Sequence, residues 1–325
     1  MGRWTVRRWI ENGLTIGRRT IGSRMEARRT IGSRIAEGRE ADRPHRGRRF
    51  ACLALAAALA AGLAGALPLP MAQAAGVSRS TALPTVDVAL VLAVDVSYSM
   101  DVEEQALQRE GYAQALVSPE FLTALKLGPN GRIIVAYVEW AGDGEQKLVM
   151  PWRMIDGPES ARAVSAEIAS APLRRVYRTS ISGGLLFSAA LFPDSGYKAL
   201  RQVIDVSGDG VNNQGPRVDT TRDEVVSRGI TINGLPLMLK RPNSASLDIE
   251  NLDQYYEDCV IGGPGAFVIP VREREEFIRA IKTKMVLEVA GVKPPPRAPL
   301  VVPAVNPPRV SCTVGERIWG ERWNN

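Results

Sequence analysis

Val86-Asp87-Val88-Ala89-Leu90-Val91-Leu92-Ala93-Val94-Asp95-Val96-Ser97-Tyr98-Ser99 is the stretch that decides the fold. From Val86 to Val94 it is an almost unbroken apolar run, the pattern of a strand buried on both faces. Such a strand belongs in a parallel sheet covered by helices on both sides. In a doubly wound sheet, ligands bind outside the carboxyl ends of the strands. Here that end reads Asp95-x-Ser97-x-Ser99: one carboxylate and two hydroxyls in a single turn. All are hard oxygen donors of the kind that Mg²⁺ and similar cations select.

Outward from this strand, helical and extended patterns alternate. Val102 to Val117 reads as a helix, Ile133 to Trp140 as a strand, and Lys147 to Trp152 as a shorter strand, with Gly142-Asp143-Gly144 between the two strands as a hairpin turn. Pro158 opens a helix to about Ser170, its proline in the first turn. Ser180 to Leu191 is another helix, Gln202 to Val206 a central strand, Val218 to Arg228 a helix stopped by Gly229, and Ile230 to Leu235 a strand. Ala266 to Val271 is expected to be the last strand and Glu273 to Val289 a long amphipathic helix, with Leu287 in the core. The order predicts an α/β fold: a doubly wound, mostly parallel sheet with helices on both faces.

Two further segments fit the first turn. Arg178-Thr179-Ser180 precedes a helix and offers the Thr179 hydroxyl; Ser207-Gly208-Asp209-Gly210 follows a central strand and offers the Asp209 carboxylate. Each piece alone reads equally well as turn and cap chemistry. Together, and in this order, they resemble the metal-ion-dependent adhesion site of the von Willebrand factor A superfamily. Carried over residue by residue, the resemblance implies metal ligands at Asp95, Ser97, Ser99, Thr179 and Asp209. Arg178 is a departure, since many relatives have a small residue there. Asp205 is expected to bond a neighbouring loop rather than a cation. Asp143, Glu145 and the Asp101-Glu103-Glu104 group read as a solvated face and a helix N-terminus.

The likeness is closer than the superfamily. Val135 to Gly142, Ser207 to Asn213 and above all Tyr255 to Val268 are similar to one bacterial exported family of unknown function, over about Asp87 to Ala290. This implies one exported domain. Three of the five implied ligands are neutral hydroxyls, so the cation would be under-neutralised and an open position would attract an anionic oxygen. In the superfamily that oxygen is typically a partner's Asp or Glu. The expected function is a metal-dependent protein-binding module using Mg²⁺, or another divalent cation such as Mn²⁺ or Ca²⁺, with Arg178 beside the partner's carboxylate. The alternatives are a metal-dependent hydrolase of the cell envelope and a structural domain with an empty site.

Composition narrows these readings. Fourteen of the 41 basic and five of the 35 acidic residues fall in residues 1–74, which leaves 27 against 30 in the body. The electrostatic argument for nucleic-acid binding therefore fails. The one histidine, His45, lies in the leader, so the body has no Ser-His-Asp site and no zinc site of the usual histidine type. Residues 1–45 are basic, carry the repeated Arg-Arg-Thr-Ile-Gly-Ser-Arg, and read as disordered or untranslated. Residues 46–74 have the layout of a signal peptide: Arg46, Arg48 and Arg49, the run Phe50 to Leu67, then Ala72-Gln73-Ala74 before Ala75. This layout implies export to the periplasm or medium, with no membrane insertion after signal removal; the alternative is an uncleaved N-terminal anchor. Residues 86–290 form the expected domain and 291–325 a proline-rich tail, drawn out as a strap from Val292 to Pro308. Cys259 and Cys312 remain in the exported part and are expected to pair.

Overall fold

The computed structural model describes residues 82–239, 249–291 and 310–323. The expected leader, signal peptide and proline-rich strap lie outside the described residues. The elements are β1 (Thr85–Asp95), α1 (Val102–Leu116), α2 (Pro119–Lys126), β2 (Ile133–Trp140), β3 (Lys147–Ile155), α3 (Pro158–Ser170), α4 (Ile181–Ala190), β4 (Lys198–Gly208), α5 (Val218–Ser227) and β5 (Ile230–Pro236). They continue with the short α6 (Leu252–Tyr255), a π-helical turn (Tyr256–Val260), a 3-10 turn (Arg274–Glu276), α7 (Phe277–Ala290) and α8 (Val314–Trp323). No described helix is long and apolar enough to cross a membrane.

The five strands lie in the order β3-β2-β1-β4-β5. All neighbours pair in parallel except β3, which runs antiparallel at the edge beside β2. This is the doubly wound α/β sheet that the alternating pattern predicts. The alternation of β1 explains its two covers. Val88, Leu90, Leu92 and Val94 enter one core with residues of α1, α2, α3 and α7, including Tyr112, Phe121, Ala161 and Ile281. Ala89, Val91 and Ala93 enter the other, with Ile181, Leu185, Val218 and Val225 of α4 and α5. Strand order reverses between β1 and β4, so their carboxyl ends flank the crevice where such sheets bind ligands.

The helix expected from Val102 to Val117 is present as α1 and ends at Leu116. A separate helix begins close behind it: Ser118 accepts a hydrogen bond from the Phe121 N–H, and Pro119 starts α2 at its first position. The acidic group at Asp101 starts α1, as expected: the Asp101 side chain accepts from the Glu104 N–H while Glu104 accepts from the Asp101 N–H. One expected strand is corrected. Ala266 to Val271 is no strand but makes isolated bridges, Gly234 to Val268 and Leu237 to Val271. Gly263 and Gly265 turn the chain at positive φ just before it. The Phe267 N–H is taken by the Asn233 side chain, and Pro270 has no N–H to give a ladder. Beyond the strap, the last described stretch forms α8.

Candidate metal centre

Three loops meet at the crevice. The first leaves β1 through Asp95, whose Oδ1 accepts from the Ser97 N–H at 2.7 Å and so closes the turn that carries both serines. The Ser97 and Ser99 hydroxyls lie 2.8 Å apart. Ser99 donates at 2.6 Å to Asp209 Oδ1, on the loop leaving β4. The third loop, residues 171–180, is sewn to the first by the Val176 N–H donating to the Val96 carbonyl, and to the second by the Asn213 N–H donating to the Thr179 carbonyl. Thr179 also donates its N–H to Asn213 Oδ1 at 3.1 Å. Its Oγ1 lies 3.8 Å from where a side chain at Gly210 would begin, which places the hydroxyl over the Asp209-Gly210 turn. Asp95, Ser97, Thr179 and Asp209 are buried, Ser99 exposed. The structure thus brings the five sequence-predicted residues to one place.

Neighbouring residues hold the loops there. Ser180 caps α4 by accepting from the Gly183 N–H. Arg109 of α1, buried, pairs with Glu139 near the end of β2 and donates to the Ala171 carbonyl where the third loop begins. Asn212 accepts from the Ser182 backbone and donates to Glu316 of α8 at 2.8 Å. A Cβ at Gly315 would run into the Asn212 carbonyl, so α8 presses directly on the loop that carries Asp209.

Electrostatics at the centre are unbalanced. Asp95 is fully buried, and its Oδ2 has no hydrogen-bond partner among the described residues. A Cβ on Gly208 would come 2.7 Å from that oxygen, so glycine there keeps the approach to it clear. Burial first, and the charge of Asp209 second, push the Asp95 carboxyl up to about 8. Burial, then the charges of Asp95 and Asp209, hold the Tyr256 hydroxyl well above its ordinary range. An orphaned buried carboxylate oxygen beside a second carboxylate and three hydroxyls is a donor set that fits a hard divalent cation. Among the described residues no three of His, Cys, Asp and Glu gather closely enough to hold a metal ion by themselves. Any cation here therefore depends on the hydroxyls.

The raised Asp95 value has a testable sign. Without a cation, the folded chain keeps a proton that the unfolded chain releases above the ordinary 3.8. Its contribution to stability is therefore fully present below about 4 and is lost as pH rises through about 8. In chelator, the urea midpoint of the wild type relative to Asp95→Asn should fall between pH 5 and pH 8. A constant difference would mean that the carboxyl ionises normally.

Arg178 sits at the rim in an unusual state. It is the one non-glycine among the described residues with a positive φ, 76°. Among the described residues its guanidinium meets no carboxylate; it lies 3.3 Å from the centre of the Trp319 ring on α8. Trp319 and its role were not legible in the sequence: a helix of ten residues after a proline-rich stretch carries no local sign that it returns to the site. Asp205 is also corrected. It bonds no loop but forms an ion pair with Lys284 of α7 at 3.1 Å, inside the sheet-helix layer. Asp143 and Glu145 are exposed as expected, and Glu145 pairs with Arg174. Cys259 and Cys312 are joined in a disulfide with Cα atoms 5.4 Å apart.

A family described as a protein of unknown function, DUF1194, matches residues 85–293. No curated protein matches. Among solved structures, proximal thread matrix protein 1 from the mussel byssus is 15% identical over 64% of this chain and 49% of its own, with a TM-score of 0.47. A further structure of it is described with a zinc-occupied MIDAS motif. The pilus adhesin SpaC from Lactobacillus rhamnosus GG is 11% identical over 63% of this chain and 31% of its own, TM-score 0.46. A von Willebrand factor type A protein from Catenulispora acidiphila is 13% identical over 62% of this chain and 42% of its own, TM-score 0.43. This chain thus spans half or less of the length of these structures. The von Willebrand factor A-like fold itself rests on the strand order and on the loops at the carboxyl ends of β1 and β4.

Proposed function

The chain belongs to the DUF1194 family of proteins of unknown function, and we propose that it is an exported, metal-dependent protein-binding module rather than an enzyme. The observation that carries this reading is the buried Asp95 Oδ2, which has no hydrogen-bond partner among the described residues and stands beside Asp209, Ser97, Ser99 and Thr179. Asp95 and Asp209 would supply the charge, and the three hydroxyls would supply neutral donors. Mg²⁺ or Mn²⁺ held there would offer an open position to an anionic oxygen, in keeping with the small, mostly neutral donor set. The chain's own part is to hold that position rigid: three loops cross-bonded at their backbones leave the hydroxyls little freedom. A protein partner offering Asp or Glu is the chemistry that answers it. The reading places the protein in the periplasm or outside the cell.

Calorimetry tests the cation and capture tests the partner. Wild type should take up about one Mn²⁺ per chain, as one oxygen constellation implies. Asp209→Ala should lose that uptake while keeping its circular dichroism, because the carboxylate sits on a loop beyond β4. Capture of envelope proteins by the immobilised chain should occur in Mg²⁺ and fail in EDTA. Mn²⁺ affinity unchanged in Asp209→Ala would remove the site; capture that ignores EDTA would remove its role.

A further inference from the structure

Beside the hydroxyl cluster lies a cavity of about 560 Å³ whose walls include Tyr98, Tyr177, Arg178, Asn213 and Trp319. Its aromatic side is built in layers. The Tyr98 and Tyr177 rings are parallel within 5° and 4.5 Å apart. The Arg175 guanidinium lies 4.0 Å from the Tyr98 centroid and donates to the Tyr98 carbonyl. One face of Tyr98 cannot hold both neighbours, so the stack runs guanidinium, Tyr98, Tyr177. Its last layer ends in solvent: Tyr177 is 70% exposed and Tyr98 48%. Exposed stacked aromatic rings beside a cavity are a costly arrangement for a surface with no ligand, since the same residues would gain by burial.

Elsewhere the wall carries one cation, Arg178. Arg178 holds the left-handed backbone that bulky residues avoid, and its guanidinium rests on Trp319. That contact depends on α8, which Cys312 fastens to Cys259 two residues before α8 begins. Glu316 adds a second fastening through Asn212. An element outside the region that the family matches thus supplies part of the wall.

We propose that this cavity is a peptide subsite for an acidic-aromatic segment. The segment's carboxylate meets the Arg178 guanidinium at the edge of the hydroxyl cluster, and the aromatic ring next to it extends the stack on Tyr177. Trp319 is the positioning residue, holding the guanidinium toward the cavity. Charge complementarity fixes the sign of the ligand: the arginine of the cavity wall, Arg178, calls for an anion. The stack fixes its neighbour, since a flat ring is the natural next layer. The subsite rests on the protein-binding reading above but adds residues that a cation alone would not require.

The test uses the exported chain and three amidated tetrapeptides: acetyl-Gly-Asp-Phe-Gly, acetyl-Gly-Asp-Gly-Gly and acetyl-Gly-Asn-Phe-Gly. Each is titrated in Mn²⁺ and again in EDTA, with Mn²⁺ affinity measured separately. Wild type should prefer the Asp-Phe peptide to the Asp-Gly peptide by about fivefold, the scale of one aromatic pair. Tyr177→Ala should erase that preference and leave Mn²⁺ affinity unchanged. Trp319→Ala should weaken both Asp peptides by about fivefold, the scale of a lost guanidinium-ring support, without moving the Asn peptide, and Trp319→Phe should restore most of the loss. Absence of a Phe preference in wild type, with or without Mn²⁺ uptake, overturns the subsite. So does a glucuronic acid disaccharide that binds more tightly than the Asp-Phe peptide, for the stack would then be a sugar platform. Loss of Mn²⁺ uptake with the Phe preference intact would instead overturn the metal reading and leave the subsite standing.

Discussion

Lys284→Met should destabilise the domain by about 3–5 kcal/mol, the range for removing one partner of a buried ion pair. Lys284 and Asp205 are fully buried, and Glu288 is nearly so. The ammonium stands 3.1 Å from Asp205 Oδ1 and 2.9 Å from Glu288 Oε1, and Glu288 also accepts from Asn233 of β5 at 2.7 Å. Burial outweighs the ammonium at Asp205 and raises its carboxyl to about 7. At Lys284, burial lowers the value, but the two carboxylates together prevail and keep the amine charged beyond its ordinary range. One cation between two acids therefore locks α7 to β4 and β5 only while it is present. Methionine has similar length and no charge, so it leaves two buried carboxyls facing one another. The urea midpoint should drop at pH 8 and recover in part at pH 5, where Asp205 takes a proton. A variant within 1 kcal/mol of wild type at both values, on the order set for surface changes, would show that the cluster is held otherwise.

Breaking the Cys259–Cys312 disulfide should have an effect of similar size. The bond closes a loop with a sequence separation of 53. The chain-entropy account gives about 4 kcal/mol for a loop of that length. α8 has ten residues, too short to persist alone in water, where isolated helices need roughly 12–15. Once the tether is gone, Trp319 and Glu316 should leave Arg178 and Asn212, and the loop carrying Asp209 should loosen. Cys312→Ser is the cleaner variant, because Cys259 is buried in the core and its replacement would disturb packing. Hydrogen exchange should speed up in residues 314–323 and in the loop after β4, while β1 and β4 keep their protection. Exchange unchanged in α8 would mean that its docking, not the covalent bond, holds it.

How far the sequence reached depended on how local each signal was. Val86 to Val94 could hardly be anything but a doubly buried strand, and the alternation downstream set the α/β class. The five oxygen residues were legible through the resemblance, because each sits in a short motif at the end of an element; cysteine parity gave the expectation that Cys259 and Cys312 pair. What the sequence could not carry was any partnership that depends on distant segments meeting. Asp205 looks like a strand residue facing a loop until α7 lays Lys284 against it. Ala266 to Val271 has the composition of a strand, yet Asn233 takes its N–H and Pro270 has none to give. Trp319 lies 141 positions from Arg178 and touches it only because the disulfide and the Glu316–Asn212 bond return the tail to the crevice. The sequence by itself thus determined the α/β class, most of the strands and helices, and the turns that carry the five oxygen residues. Only the tertiary structure decided that the set is left one buried oxygen short of a partner and walled by a helix from the far end, because both depend on which loops are brought within a few ångströms and not on what any one of them contains.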